Sequence, residues 1–128
     1  GIADRVIFAG YRTTDYADVL RCMDVFTFLV PGSDGGCRAL LEAAACGIPA
    51  VATARGALPE IVREGETGLI VPERADALAA AWRDLLVDRD RRSAMGAAAR
   101  GRAQTHFAPE RLAEEVLALY ADALRGVS

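Results

Sequence analysis

The sequence predicts an α/β fold: a parallel sheet with helices on both faces, closing in a helical segment. Three observations predict it. Short apolar runs recur along the first 72 residues, and stretches of helical spacing lie between them. Glycine and proline bound those runs. Beyond Pro72 the pattern is helical throughout. Strands that alternate with helices pair in parallel and need cover on both faces.

The elements follow in order. Val6-Ile7-Phe8-Ala9, closed by Gly10, reads as a buried strand. Residues 16–23 have helical spacing, with Tyr16, Val19, Leu20 and Met23 on one face. Residues 25–30 are a second strand, stopped by Pro31-Gly32. A glycine-rich stretch, Gly32-Ser33-Asp34-Gly35-Gly36, leads into a helix from about Cys37 to Cys46 that ends at Gly47. Residues 49–53 form the third strand, residues 59–62 one helical turn, and residues 68–72 a last short strand. Leu78, Ala81, Trp82, Leu85 and Leu86 then make one stripe expected to be buried. Residues 91–105 are an alanine- and arginine-rich helix with a thin apolar face. Pro109 suits the first turn of the last helix, and Phe107 and Leu112 are spaced for a hydrophobic staple. Leu112, Val116, Leu119, Tyr120 and Ala123 are expected to line its buried face.

A chain of 128 residues without repeats or a low-complexity linker is one domain or part of one. Four strands are few for a doubly wound sheet, and the chain opens on Gly1 just before the first of them. An upstream portion is therefore expected. The net charge of -3 and the lack of a basic stripe exclude nucleic acid as the main partner. Three irregularly spaced cysteines, Cys22, Cys37 and Cys46, form neither a disulfide framework nor a zinc pattern. Reduced thiols and a cytoplasmic setting are expected. No apolar run is long enough to span a membrane, and no secretory signal pattern is present.

In an open parallel sheet, ligands bind beyond the carboxyl ends of the strands. Three loops leave such ends: Gly10-Tyr11-Arg12, residues 31–36 and residues 53–58. The glycines of the second admit close approach of a ligand to the backbone. It runs into a helix, so free amides near Gly36, Cys37 and Arg38 face an anion. Asp34 and Glu42 both border that crevice, and ionised carboxylates suit a polyhydroxylated ligand such as ribose or hexose. Asp34 also fits a plain helix-capping role. Glu42 also reads as a solvated residue, although Leu40, Leu41 and Ala43 to Ala45 surround it.

The stretch from Asp34 to Thr53, with Glu42 as its second acid and Ala-Ala-Ala-Cys-Gly-Ile-Pro after it, resembles the signature of retaining family-4 glycosyltransferases of the GT-B fold. The likeness continues through Gly56-Ala-Leu-Pro-Glu-Ile-Val62 and Gly65-Glu-Thr-Gly-Leu-Ile-Val-Pro72, and on to Phe107 and Tyr120. It implies the Rossmann-like carboxyl-terminal domain of that fold, present in part, with residues 109–124 a helix crossing toward a missing amino-terminal domain. It implies transfer of a hexose, with retention, from a UDP- or GDP-linked sugar.

The roles carried over are likewise those of the resemblance. Glu42 looks like the acid that bonds the donor ribose. Asp34 stands where the family's first Glu contacts the transferred sugar. Gly35, Gly36 and Cys37 stand where backbone amides hold sugar and diphosphate. Gly10, Tyr11 and Arg12 correspond to the loop near the base. No metal or other cofactor is expected, because amides and basic side chains offset the diphosphate charge. The diphosphate-neutralising basic pair, the acceptor site and a His often involved in catalysis lie in the family outside the part represented here, so no catalytic residue is assigned to this chain. Any peripheral membrane attachment belongs to the other domain.

The departures are Asp34 for Glu, Gly35-Gly36-Cys37 for the usual Gly-Phe-Gly or Gly-Phe-Pro, Arg38 for an apolar residue, and Ala108 for a capping Ser. Arg38 is either an extra phosphate or sugar contact or an exposed Arg pairing with a neighbour. His106 reads as structural. Alternative functions are a non-catalytic nucleotide- or glycan-binding module and, less in keeping with the long match, a flavodoxin-like regulatory domain. Alone, the chain is expected to be inactive and to self-associate.

Overall fold

The computed structural model describes residues 1–30 and 37–126. Its elements run α1 (Tyr16–Arg21), β1 (Phe26–Phe28), α2 (Arg38–Ala45), β2 (Ala50–Ala52), α3 (Leu58–Ile61), β3 (Gly68–Ile70), α4 (Ala75–Val87), α5 (Arg89–His106) and α6 (Pro109–Arg125), after a 3₁₀ turn at Ala3–Arg5. The three strands pair in parallel in the order β1-β2-β3, with Phe26 opposite Ala50 and Ala50 opposite Gly68.

Alternation along the strands splits the core into two layers. Phe26, Phe28, Ala50, Ala52 and Ile70 face Leu40 of α2, Leu58 and Ile61 of α3, and Val62. Val51, Leu69 and Val71 face Ala81 and Leu85 of α4 and Met95 of α5. The sheet is thus covered on both sides, as parallel strands require. Leu20 of α1, Ala43 of α2 and Ile48 form a third cluster.

The helix ends have specific causes. Gly47, at φ +79°, closes α2: its N–H donates to Ala44 O at 2.9 Å, and Ile48 N–H donates to Ala43 O at 3.1 Å. That is the paired carbonyl-capping pattern glycine permits after a helix. Asp88 caps α5 by accepting from Arg91 N–H at 2.9 Å. Arg92 donates to the carbonyls of Leu85 and Leu86 at 2.9 and 3.1 Å and pairs with Asp24 at 3.1 Å, fastening α4 to α5 and to the entry of β1. Arg102 donates to Glu60 O at 2.7 Å and Ile61 O at 3.3 Å, closing α3, and its guanidinium lies 5.3 Å from the centre of the Phe107 ring. The outer edge of β3 is occupied as well: the Glu64 carboxylate accepts from Ile70 N–H, and Gly65 N–H donates to Gly68 O at 2.9 Å.

Three expectations need correction. Val6 to Ala9 is not a strand; Phe8 is 94% exposed, and the segment pairs with no strand among the described residues. A strand exists only through hydrogen bonds to a neighbour, and an apolar run alone does not supply one. Of the α4 stripe, Ala81 and Leu85 are buried, but Trp82 is 42% and Leu86 54% exposed. Each follows the buried residue by one position, a turn of about 100° off its line. The Trp82 indole N–H still finds a partner, the Thr27 hydroxyl at 2.8 Å. Finally, α6 buries none of its residues: Leu112, Val116, Leu119, Tyr120 and Ala123 are all exposed.

Candidate functional site at the carboxyl edge of the sheet

The chain leaves β1 at Leu29-Val30, β2 at Thr53 and β3 at Val71-Pro72. These ends meet around a cavity of about 350 Å³ walled by Leu29, Val30, Thr53, Val71 and Leu78. Thr53 is buried, and its hydroxyl donates to Leu29 O, joining the ends of β2 and β1. Arg55 forms a two-pronged ion pair with Glu73, with Nη2 2.5 Å from Oε2, joining the loops after β2 and β3. The pair holds the Glu73 carboxyl below its ordinary value and raises that of Arg55.

The start of α2 lies beside this edge in sequence. Cys37 precedes its first turn with φ 45° and ψ 34°, a left-handed conformation that L residues seldom adopt. Its carbonyl accepts from Leu40 N–H at 2.9 Å and Leu41 N–H at 3.3 Å. The amides of Arg38 and Ala39 precede that first intrahelical bond, the position from which helix amides bind anions. Asp34, Gly35 and Gly36, the other residues expected at the donor sugar and diphosphate, lie outside the described residues.

Glu42 sits one turn further along α2. Arg38 Nε donates to Glu42 Oε1 at 2.8 Å, with the Arg38 side chain 87% and that of Glu42 33% exposed. Tyr16, at the start of α1, is an electrostatic neighbour of Glu42. Desolvation first, and the neighbouring Glu42 charge second, raise the Tyr16 phenol above its ordinary value. Glu42 also borders a cleft of about 420 Å³ between α2 and the α5–α6 junction, walled by Leu41, Ala103, Phe107 and Pro109.

Gly10, Tyr11 and Arg12 lie on the exposed segment before α1, with Gly10 at φ +68°. Arg12 Nε donates to Asp15 Oδ1 at 2.9 Å, and Asp15 adjoins Tyr16. That short chain of contacts, Arg12 to Asp15, then Tyr16 to Glu42, links the segment expected near a base to the residue expected at a ribose. His106 ends α5, exposed and edge-on to Phe107 at 6.0 Å. Desolvation, then the charges of Arg111, Arg102 and Arg63, lower its pKa.

Sequence reading missed three participants. Tyr16 was read only as an apolar-face residue, although its hydroxyl on such a face signals a polar partner nearby. Thr53 closes an otherwise apolar strand, the same kind of signal. The Arg55–Glu73 pair spans 18 residues and leaves no local mark in the sequence.

Comparison with known proteins places this arrangement. The model of the family described as Glycosyl transferases group 1 matches residues 1–88. The GDP-mannose-dependent alpha-(1-6)-phosphatidylinositol monomannoside mannosyltransferase of Mycobacterium tuberculosis (strain ATCC 25618 / H37Rv) is 37% identical over 98% of this chain and 34% of its own length. The N-acetyl-alpha-D-glucosaminyl L-malate synthase of Bacillus anthracis is 33% identical over 97% of this chain and 32% of its own. Among solved structures, sucrose-phosphate synthase from Thermosynechococcus elongatus superposes with a TM-score of 0.81 at 33% identity, over 98% of this chain and 32% of that one. Anabaena HepE, crystallised with UDP-glucose, shares the fold with a TM-score of 0.77 at 23% identity, over 91% of this chain and 33% of that one. The chain therefore spans about a third of the length of the relatives it matches. No described helix is long and apolar enough to cross a membrane. With its parallel α/β sheet, its acid-bearing helix α2 and a family match over more than half its length, this chain belongs to the group 1 glycosyltransferases, whose GT-B fold its structural neighbours share.

Proposed function

We propose that the intact protein is a retaining hexosyltransferase that moves a sugar from a UDP- or GDP-linked donor to an acceptor hydroxyl, and that residues 1–128 supply its donor-binding half. The observation that carries this reading is the amino terminus of α2: amides unbonded within the helix follow the left-handed Cys37, and the Glu42 carboxylate stands one turn on. When the acceptor oxygen bonds the anomeric carbon and the bond to the diphosphate breaks, negative charge develops on the leaving group. Preorganised amides and Arg38 stabilise that charge. Glu42 accepts from the ribose hydroxyls, Asp34 contacts the transferred sugar, the Gly35 and Gly36 amides assist, and Gly10 to Arg12 border the base. Transfer needs no metal, so chelation with EDTA leaves it unchanged.

The amino-terminal domain supplies the acceptor site, and α6 crosses toward it. The protein acts in the cytoplasm, and any attachment to the inner membrane face runs through that other domain. The GDP-mannose dependence in the name of the mycobacterial relative supports a nucleotide-sugar donor.

The test is Glu42→Ala in the intact protein. Donor KM should rise about tenfold with acceptor KM unchanged, since a buried ribose hydroxyl loses its acceptor. An unchanged donor KM would remove Glu42 from the ribose. Cys37, left-handed where the resembled signature has Gly or Pro, favours a second reading as a binding module. Nucleotide binding by the wild type without transfer from any donor would support that module.

A further inference from the structure

The third strand-end loop, residues 53–58, has no part in the reading above. Its first residue is a polar side chain in the apolar interior: Thr53 is 2% exposed. It borders both cavities at the strand ends, of about 350 and 320 Å³. Its hydroxyl proton is nonetheless given to Leu29 O. Leu29 is the first residue after β1, and the chain proceeds from it to α2. Two residues beyond Thr53, Arg55 reaches the other way, to Glu73 after β3. The ends of all three strands are thus tied in sequence, Leu29 to Thr53 and Arg55 to Glu73.

The two ties differ in kind. An ion pair between half-exposed side chains adds little to stability. A buried hydroxyl serving a carbonyl adds more, because its loss leaves that carbonyl without its donor. Both ties lie where the sheet presents ligand, and the first sets where the chain leading to α2 begins.

We propose that Thr53 is a positioning residue for donor binding: by holding Leu29, and with the Arg55–Glu73 pair holding its own loop, it fixes the strand ends against which the donor diphosphate is bound. This rests on the donor-binding reading above. Small displacements of such a frame weaken the ligand contacts it supports.

The experiment compares Thr53→Val, which keeps the shape and removes the hydroxyl, with Thr53→Ser, which keeps the hydroxyl. Transfer kinetics are measured in the intact protein, together with titrations of UDP and GDP. Thr53→Val should raise donor KM and nucleotide Kd about tenfold, with acceptor KM unchanged and Thr53→Ser near wild type. Arg55→Gln should raise both about twofold to threefold. A merely structural Thr53 would lower the melting temperature or the active fraction and leave donor KM alone. Donor KM and nucleotide Kd in Thr53→Val within about twofold of wild type would overturn the proposal. If Thr53→Val does not fold, Arg55→Gln and Glu73→Gln, both at half-exposed sites, decide it: unchanged donor KM in both overturns it. A wild type that binds neither UDP nor GDP would instead overturn the donor-binding reading itself, and the role of Thr53 with it, before any variant is compared.

Discussion

Helix α5 carries two glycines whose replacement by alanine should have opposite effects. At Gly96, an added Cβ would lie 2.2 Å from Gly47 O, 3.1 Å from Gly47 C and 3.4 Å from Pro49 Cδ. The first two are backbone atoms of the turn that closes α2, so neither side swings away. At Gly101, in the same helix, an added Cβ meets nothing within 4 Å. Alanine gains about 1 kcal/mol over glycine in a helix interior at either position. At Gly96 that gain opposes overpacking, which costs about 1–3 kcal/mol and sits at the upper end when backbone must move. Gly96→Ala should therefore destabilise by about 2 kcal/mol net, and Gly101→Ala should stabilise by up to about 1 kcal/mol. Urea unfolding followed by circular dichroism reads both. With a slope of about 1–3 kcal/mol/M, Gly96→Ala should lower the midpoint by about 1 M at constant slope. A midpoint for Gly96→Ala at or above wild type would refute the close seam between α5 and the end of α2.

Other outcomes follow from the same contacts. In a spectrophotometric titration, one tyrosine should ionise above the ordinary value near 10, and Tyr16→Phe should remove that step; Glu42→Gln should weaken the shift, and a profile untouched by either change would separate Tyr16 from Glu42. Asp15, Glu73 and Asp76 have pKa values lowered by their arginine partners, so their contribution is present above the unfolded value of about 4 and is lost as pH falls through the lower folded values. Midpoints measured from pH 6 to 2 should fall in that window, less steeply in Glu73→Gln. His106, also lowered, adds a small loss of the same sign below about pH 6.5, absent in His106→Gln. The apolar face of α6 should make the isolated chain self-associate, and replacing Leu112, Val116 and Tyr120 by Ser should shift sedimentation toward monomer; a wild-type monomer across the concentration range would count against this.

Much was legible in the residues themselves. The runs at 25–30, 49–53 and 68–72 each contain a strand, Phe26–Phe28, Ala50–Ala52 and Gly68–Ile70, because their apolar side chains alternate between two covered faces. Gly47 ended α2 and Pro109 began α6 as their backbone chemistry requires. The acid-bearing helix that follows β1 could be read from spacing and small neighbours. These features are local, so a stretch of about ten residues contains their cause.

Other features needed the tertiary structure. Val6 to Ala9 has every attribute of a strand except a partner, and partnership is not a property of the segment. Trp82 and α6 look buried by periodicity, but burial depends on what lies opposite. Tyr16 on Glu42, Thr53 on Leu29 and Arg55 on Glu73 join residues 18 to 26 positions apart. The amino-acid sequence alone determined the α/β class, most helix boundaries and the identity of the acidic helix, because propensity, capping and periodicity act over one or two turns. Which side chains meet at the carboxyl edge of the sheet was decided only when parallel strands brought separate loop ends side by side, since hydrogen bonds and ion pairs form by distance in space and not along the chain.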